Sequence, residues 1–139
     1  MKKDKLFLDA NVLFSAAYRE HSGLLRLWHI KSAKLISSLY AIEEARRNLD
    51  STLQKERLEK LLTDVEKISA YRENSDLPEG ITIKEKDKPI LLAAIAAKAD
   101  YLLTGDIRDF GKFFGKKICG LTVLPPSEYL NKNTRKQKN

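Results

Sequence analysis

Acidic residues recur at the ends of predicted strands in this chain of 139 residues. The segment YLLTGDIRDF, residues 101–110, begins with an apolar run typical of a buried strand and ends with two carboxylates, Asp106 and Asp109. The segment KLFLD, residues 5–9, likewise ends its apolar run at Asp9. In a parallel sheet the C-terminal ends of the strands share one edge, where open α/β folds place their sites. We therefore expect Asp9 and Asp106 to lie close together.

Two further acidic positions are predicted to reach the same edge. Asp87 precedes the helix predicted for DKPILLAAIAAKA, and Glu43 and Glu44 lie in the helix predicted for YAIEEARRNL. Crowded carboxylates raise one another's pKa unless a cation neutralises them. Ligand sets made of oxygen atoms favour Mg²⁺ or Mn²⁺, and such an ion can polarise a phosphodiester and activate water. The pattern predicts metal-dependent hydrolysis of phosphodiester bonds.

Each acid also has a local structural explanation. Asp9 and Asp87 precede helices and could be N-caps, whereas Asp109 could cap a turn. Glu43 and Glu44 could be solvated helix charges, and helical periodicity does not separate the two. The repeated placement at strand ends is what favours a shared site.

Strand and helix patterns alternate along the chain. This alternation predicts an α/β fold with a parallel sheet covered on both faces. Residues 69–86 contain Pro78 and Gly80 and are predicted to be mostly loop. Strands are predicted at residues 5–9, 34–39, 100–106 and 118–125, and helices or helical turns at residues 11–20, 23–33, 40–49, 52–68, 87–99, 107–116 and 126–132, with Ser22 as the N-cap of the second helix.

Composition indicates a soluble globular protein. Apolar residues make up 42% of the chain and charged residues 32%, and no apolar run approaches the ~20 residues of a bilayer span. A single cysteine, Cys119, cannot form an internal disulfide, which favours a reducing compartment such as the cytoplasm. The N-terminus is basic and then apolar, but Asp9 and Asn11 interrupt the apolar run, so we expect no signal peptide.

The positive charge is concentrated at the C-terminus. The net charge is +7, and residues 131–139 contain four basic residues and no acid. We expect one domain at residues 1–130 followed by a basic, flexible tail at 131–139. The charge is compatible with a polyanionic partner such as nucleic acid, or with a tail that only aids solubility.

Three segments resemble the signature regions of PIN-domain proteins: LFLDANVLFSA, SSLYAIEEARRNL and KDKPILLAAIAAKADYLLTGDIRDFG, in the family's order. The resemblance extends from Leu6 to about Leu130. It implies a three-layer α/β/α sandwich with a mainly parallel central sheet and Mg²⁺- or Mn²⁺-dependent cleavage of single-stranded RNA. It also implies the toxin half of a toxin-antitoxin pair of the VapC kind, a homodimer and a small antitoxin partner.

The resemblance assigns roles to individual residues. By similarity, Asp9, Glu44, Asp87 and Asp106 match the four family acids that hold metal and water, and Asp109 matches an additional acid of some members. Glu44 is preferred to Glu43 because the family acid usually lies five residues before a helix leucine, here Leu49. The supporting polar residues are Asn11 and Thr104, and the weaker candidates for contacts with RNA phosphates are Arg46, Arg47 and Arg108.

Two alternative functions remain open at the level of sequence. The fold could have lost catalysis and serve as a module that binds RNA or an antitoxin, although the intact set of acids argues against this. It could also act on DNA, including flap ends, since the metal chemistry would be the same.

Overall fold

The computed structural model describes residues 3–69 and 77–137, with side chains described up to residue 133. The strands are β1 (Asp4–Leu8), β2 (Ala33–Ser38), β3 (Val65–Ile68), β4 (Tyr101–Leu103), β5 (Lys117–Ile118) and β6 (Leu121–Leu124). The helices are α1 (Ala10–Tyr18), α2 (Leu39–Asn48), α3 (Thr52–Leu62), α4 (Lys88–Ala96), α5 (Ile107–Phe110) and α6 (Pro126–Gln137), with 3₁₀ helices at Gly23–His29 and Gly111–Phe113.

The sheet is mainly parallel and flanked by helices, as the sequence predicts. Among the described residues the strands lie in the order β3-β2-β1-β4-β6-β5, and only β5 runs antiparallel to its neighbour. Leu6, Phe7 and Leu8 of β1 are fully buried. A strand buried on both faces loses the apolar-polar alternation of a half-exposed strand, which explains the continuous apolar run in the sequence.

The chain reverses its direction of travel across the sheet between β1 and β4. After β1 it adds β2 and β3 on one side, and it then crosses to add β4 and β6 on the other. Such a reversal is a topological switch point, where the loops after the two strands diverge and leave a crevice. The segments that follow β1 and β4 begin at Asp9 and Thr104.

One helix prediction extends too far. Residues 52–68 are predicted as a single amphipathic helix, but α3 ends at Leu62 and Val65–Ile68 forms strand β3 beside β2. Val65 continues the spacing of the α3 leucines, so the sequence pattern does not show the break. In the structure Val65 is buried and aligned with Leu35 of β2, and pairing with the sheet satisfies the backbone of this segment while the Val65 side chain joins the core.

The segment after α1 also differs from its prediction. A helix is predicted at residues 23–33, whereas the structure has a 3₁₀ helix at Gly23–His29. The predicted cap is present, since the Ser22 hydroxyl accepts a hydrogen bond from the Leu24 amide. The Trp28 indole donates to the Leu61 carbonyl at 2.9 Å, which joins this segment to the end of α3.

The C-terminal part contains a hairpin where one strand is predicted. Residues 118–125 divide into the end of β5, a turn at Cys119 and Gly120, and β6. Both turn residues have positive φ angles, 53° and 82°, which is the backbone of a tight type I′ hairpin. Glycine adopts this conformation without steric cost, and Cys119 is the strained member of the pair.

The chain beyond residue 125 is more helical than predicted. A short turn and a flexible tail are expected, but α6 continues to Gln137, so the backbone of residues 131–137 is helical. In the predicted loop at 69–86, residues 70–76 lie outside the described part, and residues 77–84 have no regular structure. None of the described helices has the length and apolar character required to cross a bilayer.

Candidate active site

The ends of β1 and β4 bring two sequence-distant segments into contact at the switch point. The Asp9 amide donates to the Leu103 carbonyl at 3.1 Å, which continues the pairing of the two strands by one residue. The Thr104 hydroxyl donates to Asp9 Oδ2 at 2.7 Å. The prediction that acids after these two strands share one edge of the sheet therefore has a direct structural basis.

Asp9 is held by several hydrogen bonds. Its Oδ1 accepts from the Ala10 amide at 2.7 Å, so the residue is also the N-cap of α1. Its Oδ2 accepts from the Asn11 amide group at 3.2 Å in addition to Thr104. Asn11 reaches further, because its Oδ1 accepts from the Gly105 amide at 2.8 Å. The structure thus brings both predicted supporting residues, Asn11 and Thr104, against Asp9.

Burial makes the charge of Asp9 costly. Loss of hydration raises the pKa of its carboxyl to about 6, although the hydrogen bonds from Thr104 and Ala10 act in the opposite direction. The negative charges of Glu44 and Asp106 raise the pKa further. A buried carboxylate with a raised pKa is typical of a cation site, because a bound cation would supply the positive charge that neutralises it.

Three of the predicted acids form a tight cluster. Asp87, Asp106 and Asp109 each place a carboxylate oxygen within 4.8 Å of those of the other two. Asp106 is the N-cap of α5, and its Oδ1 accepts from the Asp109 amide at 3.0 Å. Its own amide donates to the Thr104 hydroxyl at 3.1 Å, so the cluster is linked to the hydrogen bonds around Asp9.

Asp87 lies at the start of α4 but does not cap it. Its side chain makes no capping hydrogen bond, and its Oδ2 is buried and has no hydrogen-bond partner among the described residues. Burial, and then the hydrogen bond to the Asp109 carboxylate and that carboxylate's charge, raise the pKa of Asp87 to about 7. A buried carboxylate oxygen without a partner is expensive, so the capping explanation does not account for this residue.

Asp109 differs from the other acids because it has cationic partners. Its carboxylate oxygens lie 3.1 Å from the ammonium of Lys84 and 3.4 Å from that of Lys86. The hydrogen bond from Asp87, followed by that from Lys84, holds the pKa of Asp109 well below its usual range. Asp109 is therefore the member of the Asp87–Asp109 pair that keeps its negative charge more readily, and both lysines are engaged at the site.

The acids surround one open cleft of about 330 Å³. Glu44 of α2 lines this cleft, whereas the neighbouring Glu43 forms an ion pair with Arg46 at 2.7 Å on the surface. This geometry separates the two glutamates that periodicity leaves unresolved. The lining residues are Asp9, Ala10, Asn11, Phe14, Glu44, Asn48, Lys86, Asp87 and Asp106.

The predicted arginines take different positions. The Arg46 guanidinium is occupied by the carboxylates of Glu43 and Glu59, with contacts of 2.7 to 3.2 Å. Arg47 and Arg108 are exposed, and neither lines the cleft. The roles of these arginines in binding RNA stay predictions, and the engagement of Arg46 makes it the weakest of the three.

Sequence reasoning does not identify the cationic and apolar parts of the cleft. Lys84 and Lys86 precede Asp87 in the segment KEKDKP, but their pairing with Asp109 joins positions from two separate segments, which local spacing does not reveal. Phe14 and Asn48 lie four residues beyond Ala10 and Glu44 on helices α1 and α2. The one available signal is this i, i+4 spacing, which places Asn48 on the same helix face as the predicted acid Glu44, whereas Phe14 shares its face with Ala10, the residue after Asp9.

The side chains present fit a divalent cation. The candidate ligands are all carboxylate oxygens, the donor type that Mg²⁺ and Mn²⁺ prefer. Asp87 Oδ2 has an unused acceptor site, and the clustered acids exceed the positive charge that Lys86 brings to the cleft. Asp87 and Asp106 belong to the carboxylate cluster, and Asp9 and Glu44 line the same cleft outside that cluster, where they could add ligands to such an ion.

The fold and the site define the class of the protein: it is an α/β protein with an acid-lined cleft at the switch point of its sheet. The sequence profile of the PIN domain matches residues 5–108, so the chain belongs to the PIN-domain family, whose members are generally nucleases. The predicted family and the predicted α/β/α architecture are thereby confirmed.

Comparison with solved structures supports the same fold. A chain in the crystal structure of VapBC2 from Rickettsia felis, bound to a DNA fragment from their promoter, aligns with a TM-score of 0.61 and 19% sequence identity. The alignment covers 87% of this chain and 98% of that chain. At this level of identity the similarity concerns the fold. A search of curated proteins finds no match to the sequence.

Proposed function

We propose that this protein is a Mg²⁺- or Mn²⁺-dependent endoribonuclease that cleaves single-stranded RNA. The observation that supports this most directly is the convergence of Asp87, Asp106 and Asp109 within 4.8 Å, with Asp9 and Glu44 lining the same cleft. These five acids come from four separate segments of the chain, with Asp106 and Asp109 in the same one, and no single structural role accounts for all of them. The unpartnered Asp87 oxygen indicates that a ligand completes the arrangement.

In this proposal the acids have separate tasks. Asp9, Glu44, Asp87 and Asp106 hold the cation, which when bound polarises the phosphodiester and lowers the pKa of an attacking water. Thr104 and Asn11 orient the Asp9 carboxylate through hydrogen bonds to Oδ2. Asp106 is kept in place by capping α5. Preorientation of this kind matters because small displacements of catalytic groups are costly in rate.

Asp109 acts differently from the predicted assisting acid. Its ionised carboxylate positions Lys84 and Lys86 and accepts a hydrogen bond from Asp87. Lys86 also lines the cleft, so its ammonium lies where a phosphate oxygen of the substrate would enter. We assign Asp109 as a positioning residue for Asp87 and Lys86.

The biological setting that we propose is a toxin-antitoxin pair in the cytoplasm, with this chain as the toxin and as a homodimer. The support is the PIN-domain family membership and the similarity in fold to a chain of VapBC2. A short antitoxin-like reading frame beside the gene is the expected source of the partner.

The decisive experiment compares RNA cleavage in Mn²⁺ by the parent protein and by Asp106→Asn. We expect the variant to lose at least ~100-fold in kcat/KM, equivalent to about 2.7 kcal/mol of transition-state stabilisation. Asp64→Asn is the matched control, because Asp64 is exposed in the turn after α3. Equal rates for the parent and Asp106→Asn would contradict the proposal.

Two further measurements separate the alternatives. Competing RNA and DNA strands of one sequence identify a DNA nuclease if the DNA is cleaved preferentially. Calorimetry with Mn²⁺ identifies a module without catalytic function if no saturable uptake is seen. Saturable uptake that Asp9→Asn abolishes, together with preference for RNA, is the result that supports our assignment.

A further inference from the structure

Three cavities with shared lining residues lie next to one another along α1. The acidic cleft shares Asn11 with a second cavity of about 430 Å³. The second cavity shares Ser15, Leu24 and Ser127 with a third cavity of about 330 Å³. Because neighbouring cavities share lining residues, we treat them as one surface and name it the α1 groove.

One face of α1 follows the whole length of this groove. Asn11, Ser15 and Arg19 are spaced at intervals of four residues, which places them in a row on the same side of a helix. Asn11 contacts the Asp9 carboxylate, and Arg19 is the C-cap residue at the other end. Eight residues of helix span about 12 Å. The row therefore runs from the acidic cleft to the third cavity, a distance that a short oligonucleotide can span.

The two ends of the α1 groove have opposite charge. The first end contains the acids of the candidate active site, whereas Arg19 and Arg26 line the third cavity and none of its described lining residues is acidic. Arg19 is exposed and makes no hydrogen bond or ion pair within the described part of the chain. An exposed arginine that lines a cavity and whose guanidinium is not already paired is suited to bind a phosphate group.

The middle of the α1 groove is apolar. Ile107 lines it and is 75% exposed, the largest value among the exposed large hydrophobic residues of the described chain. Leu24, Pro125 and Pro126 form further parts of the same wall. Phe14 adds an aromatic ring at the acidic end. Such surfaces match the faces of nucleobases, which pack on apolar and aromatic side chains in proteins that bind single strands.

We propose that the α1 groove binds the substrate strand beyond the scissile bond. The bases lie on the apolar middle, and a phosphate lies in the third cavity against Arg19 and Arg26. This inference rests on the proposed nuclease function for the position of the scissile bond. The length of about 12 Å corresponds to about three or four nucleotides at ~3.4 Å each in a stacked strand.

The apolar middle and the basic end of the α1 groove favour RNA over a peptide as the occupant. A nucleic acid strand presents phosphates and flat apolar bases together, which suits a groove with an apolar middle and a basic end. The protein's net charge of +7 favours a polyanion. A protein segment docked in the same groove would depend on the apolar middle, so loss of the two arginines would leave its binding largely intact.

The binding test uses a fluorescein-labelled single-stranded RNA of twelve mixed nucleotides, with Asp106→Asn as the background so that the strand is not cut. We expect Arg19→Gln with Arg26→Gln to raise Kd roughly tenfold and to reduce the slope of log K against log salt by about 1. Lys117→Gln, which removes one positive charge at an exposed position of β5, is expected to change neither quantity.

The cleavage test separates this inference from the proposed function. In otherwise unchanged protein, the two arginine substitutions should raise KM for the twelve-nucleotide RNA about tenfold and leave kcat unchanged, while the cleavage of a trinucleotide is unaffected. Arg19→Gln alone provides a safeguard against misfolding, because the exposed side chain of Arg19 makes no hydrogen bond or ion pair within the described chain, and it should give part of the same effect.

The outcomes are distinct. If RNA is cleaved but the arginine variants behave like Lys117→Gln, the assignment of the α1 groove is overturned and the nuclease proposal is retained. If no RNA is cleaved by the parent but binding depends on the arginines, the nuclease proposal fails and the groove assignment is supported. A preference of the groove for an acidic peptide over the RNA would also overturn the assignment.

Discussion

Single residues at this site have more than one physical role. Asp9 caps α1 and also presents a buried carboxylate to the cleft, and Asp106 caps α5 and presents a partly exposed one. A structural explanation and a functional one are therefore compatible for both residues. Asp87 is the exception, because it lies at a helix start without capping it. The residue whose local explanation fails is the most informative about function.

The pKa of Asp9 determines a testable dependence of stability on pH. Its folded value of about 6 exceeds the ordinary value of 3.8, so the folded protein binds this proton more tightly than the unfolded chain does. The metal-free protein should lose stability as pH rises from about 4 to about 6, by an amount on the order of 3 kcal/mol from this group. Asp87, whose folded pKa is about 7, acts in the same direction.

The measurement is the free energy of unfolding in urea after removal of metal, at about pH 4.5 and about pH 7.5. Asp9→Asn should flatten the difference between the two conditions, because an amide does not titrate. Asp64→Asn, at an exposed position, should show the same difference in the free energy of unfolding between the two pH values as the parent. The same difference between the two pH values for the parent and Asp9→Asn would show that burial does not raise the pKa of this carboxyl.

At the scale of elements, the position of the site depends on how α1 is held. Arg57 of α3 donates to the carbonyls of Ala17 and Tyr18 at 2.9 and 3.0 Å, and so satisfies the C-terminal end of α1. Helix α3 is itself started by a capping box, in which Ser51 and Gln54 exchange hydrogen bonds. Helix α3, whose N-terminus is capped, therefore holds α1, the helix that follows Asp9, in position.

Removal of this cap should destabilise the fold by a defined amount. Ser51→Ala leaves the Gln54 amide without its acceptor and should lower the free energy of unfolding by about 1 kcal/mol, within the range of 0.5 to 2 kcal/mol typical of N-caps. Ser51→Asp keeps an acceptor and should be close to neutral. Urea unfolding at one pH provides the comparison, and a loss of equal size in both variants would argue against capping as the cause.

The elements also show where sequence patterns are sufficient. The strand at residues 5–9 is predicted from its apolar run and the acid that ends it. The helix after Asp87 is predicted from apolar residues at helical spacing and a proline in its first turn. Strand β3 is not predicted, because Val65 continues the leucine spacing of α3 and only the pairing with β2 identifies it as a strand. Strand β5 has two residues and is recognised only by its pairing with β6.

The same limit applies to the candidate site. The acids at strand and helix ends can be predicted because the topology of a parallel sheet gathers such ends at one edge. The pairing of Asp109 with Lys84 and Lys86 is not predicted, because it depends on how the irregular segment before α4 packs against α5. Local sequence determines the element ends, whereas the folded chain determines their electrostatic partners.

At the scale of the whole molecule, the acids of the candidate active site lower the stability of the fold. The central strand β1 ends in three fully buried residues, 6–8, and is followed by Asp9, whose charge burial makes costly. Asp87 and Asp109 add a pair of adjacent acids, which one hydrogen bond and two lysines offset. A protein arranged in this way should be more stable with a cation in the cleft, because the ion binds the folded state and not the dispersed acids of the unfolded chain.

Thermal unfolding can test this coupling between site and fold. At an Mn²⁺ concentration about 100 times the dissociation constant, the folded state should gain about 2.7 kcal/mol, which corresponds to a rise of several degrees in Tm for a domain of this size. Asp87→Asn should reduce the response to Mn²⁺ and at the same time raise Tm in the absence of metal, because it removes a charge that is costly when buried. Asp64→Asn should respond to Mn²⁺ like the parent, since Asp64 is exposed in the turn after α3. An Mn²⁺ response of parental size in Asp87→Asn would place the ion elsewhere, because the unpartnered oxygen of Asp87 would then have no part in binding it.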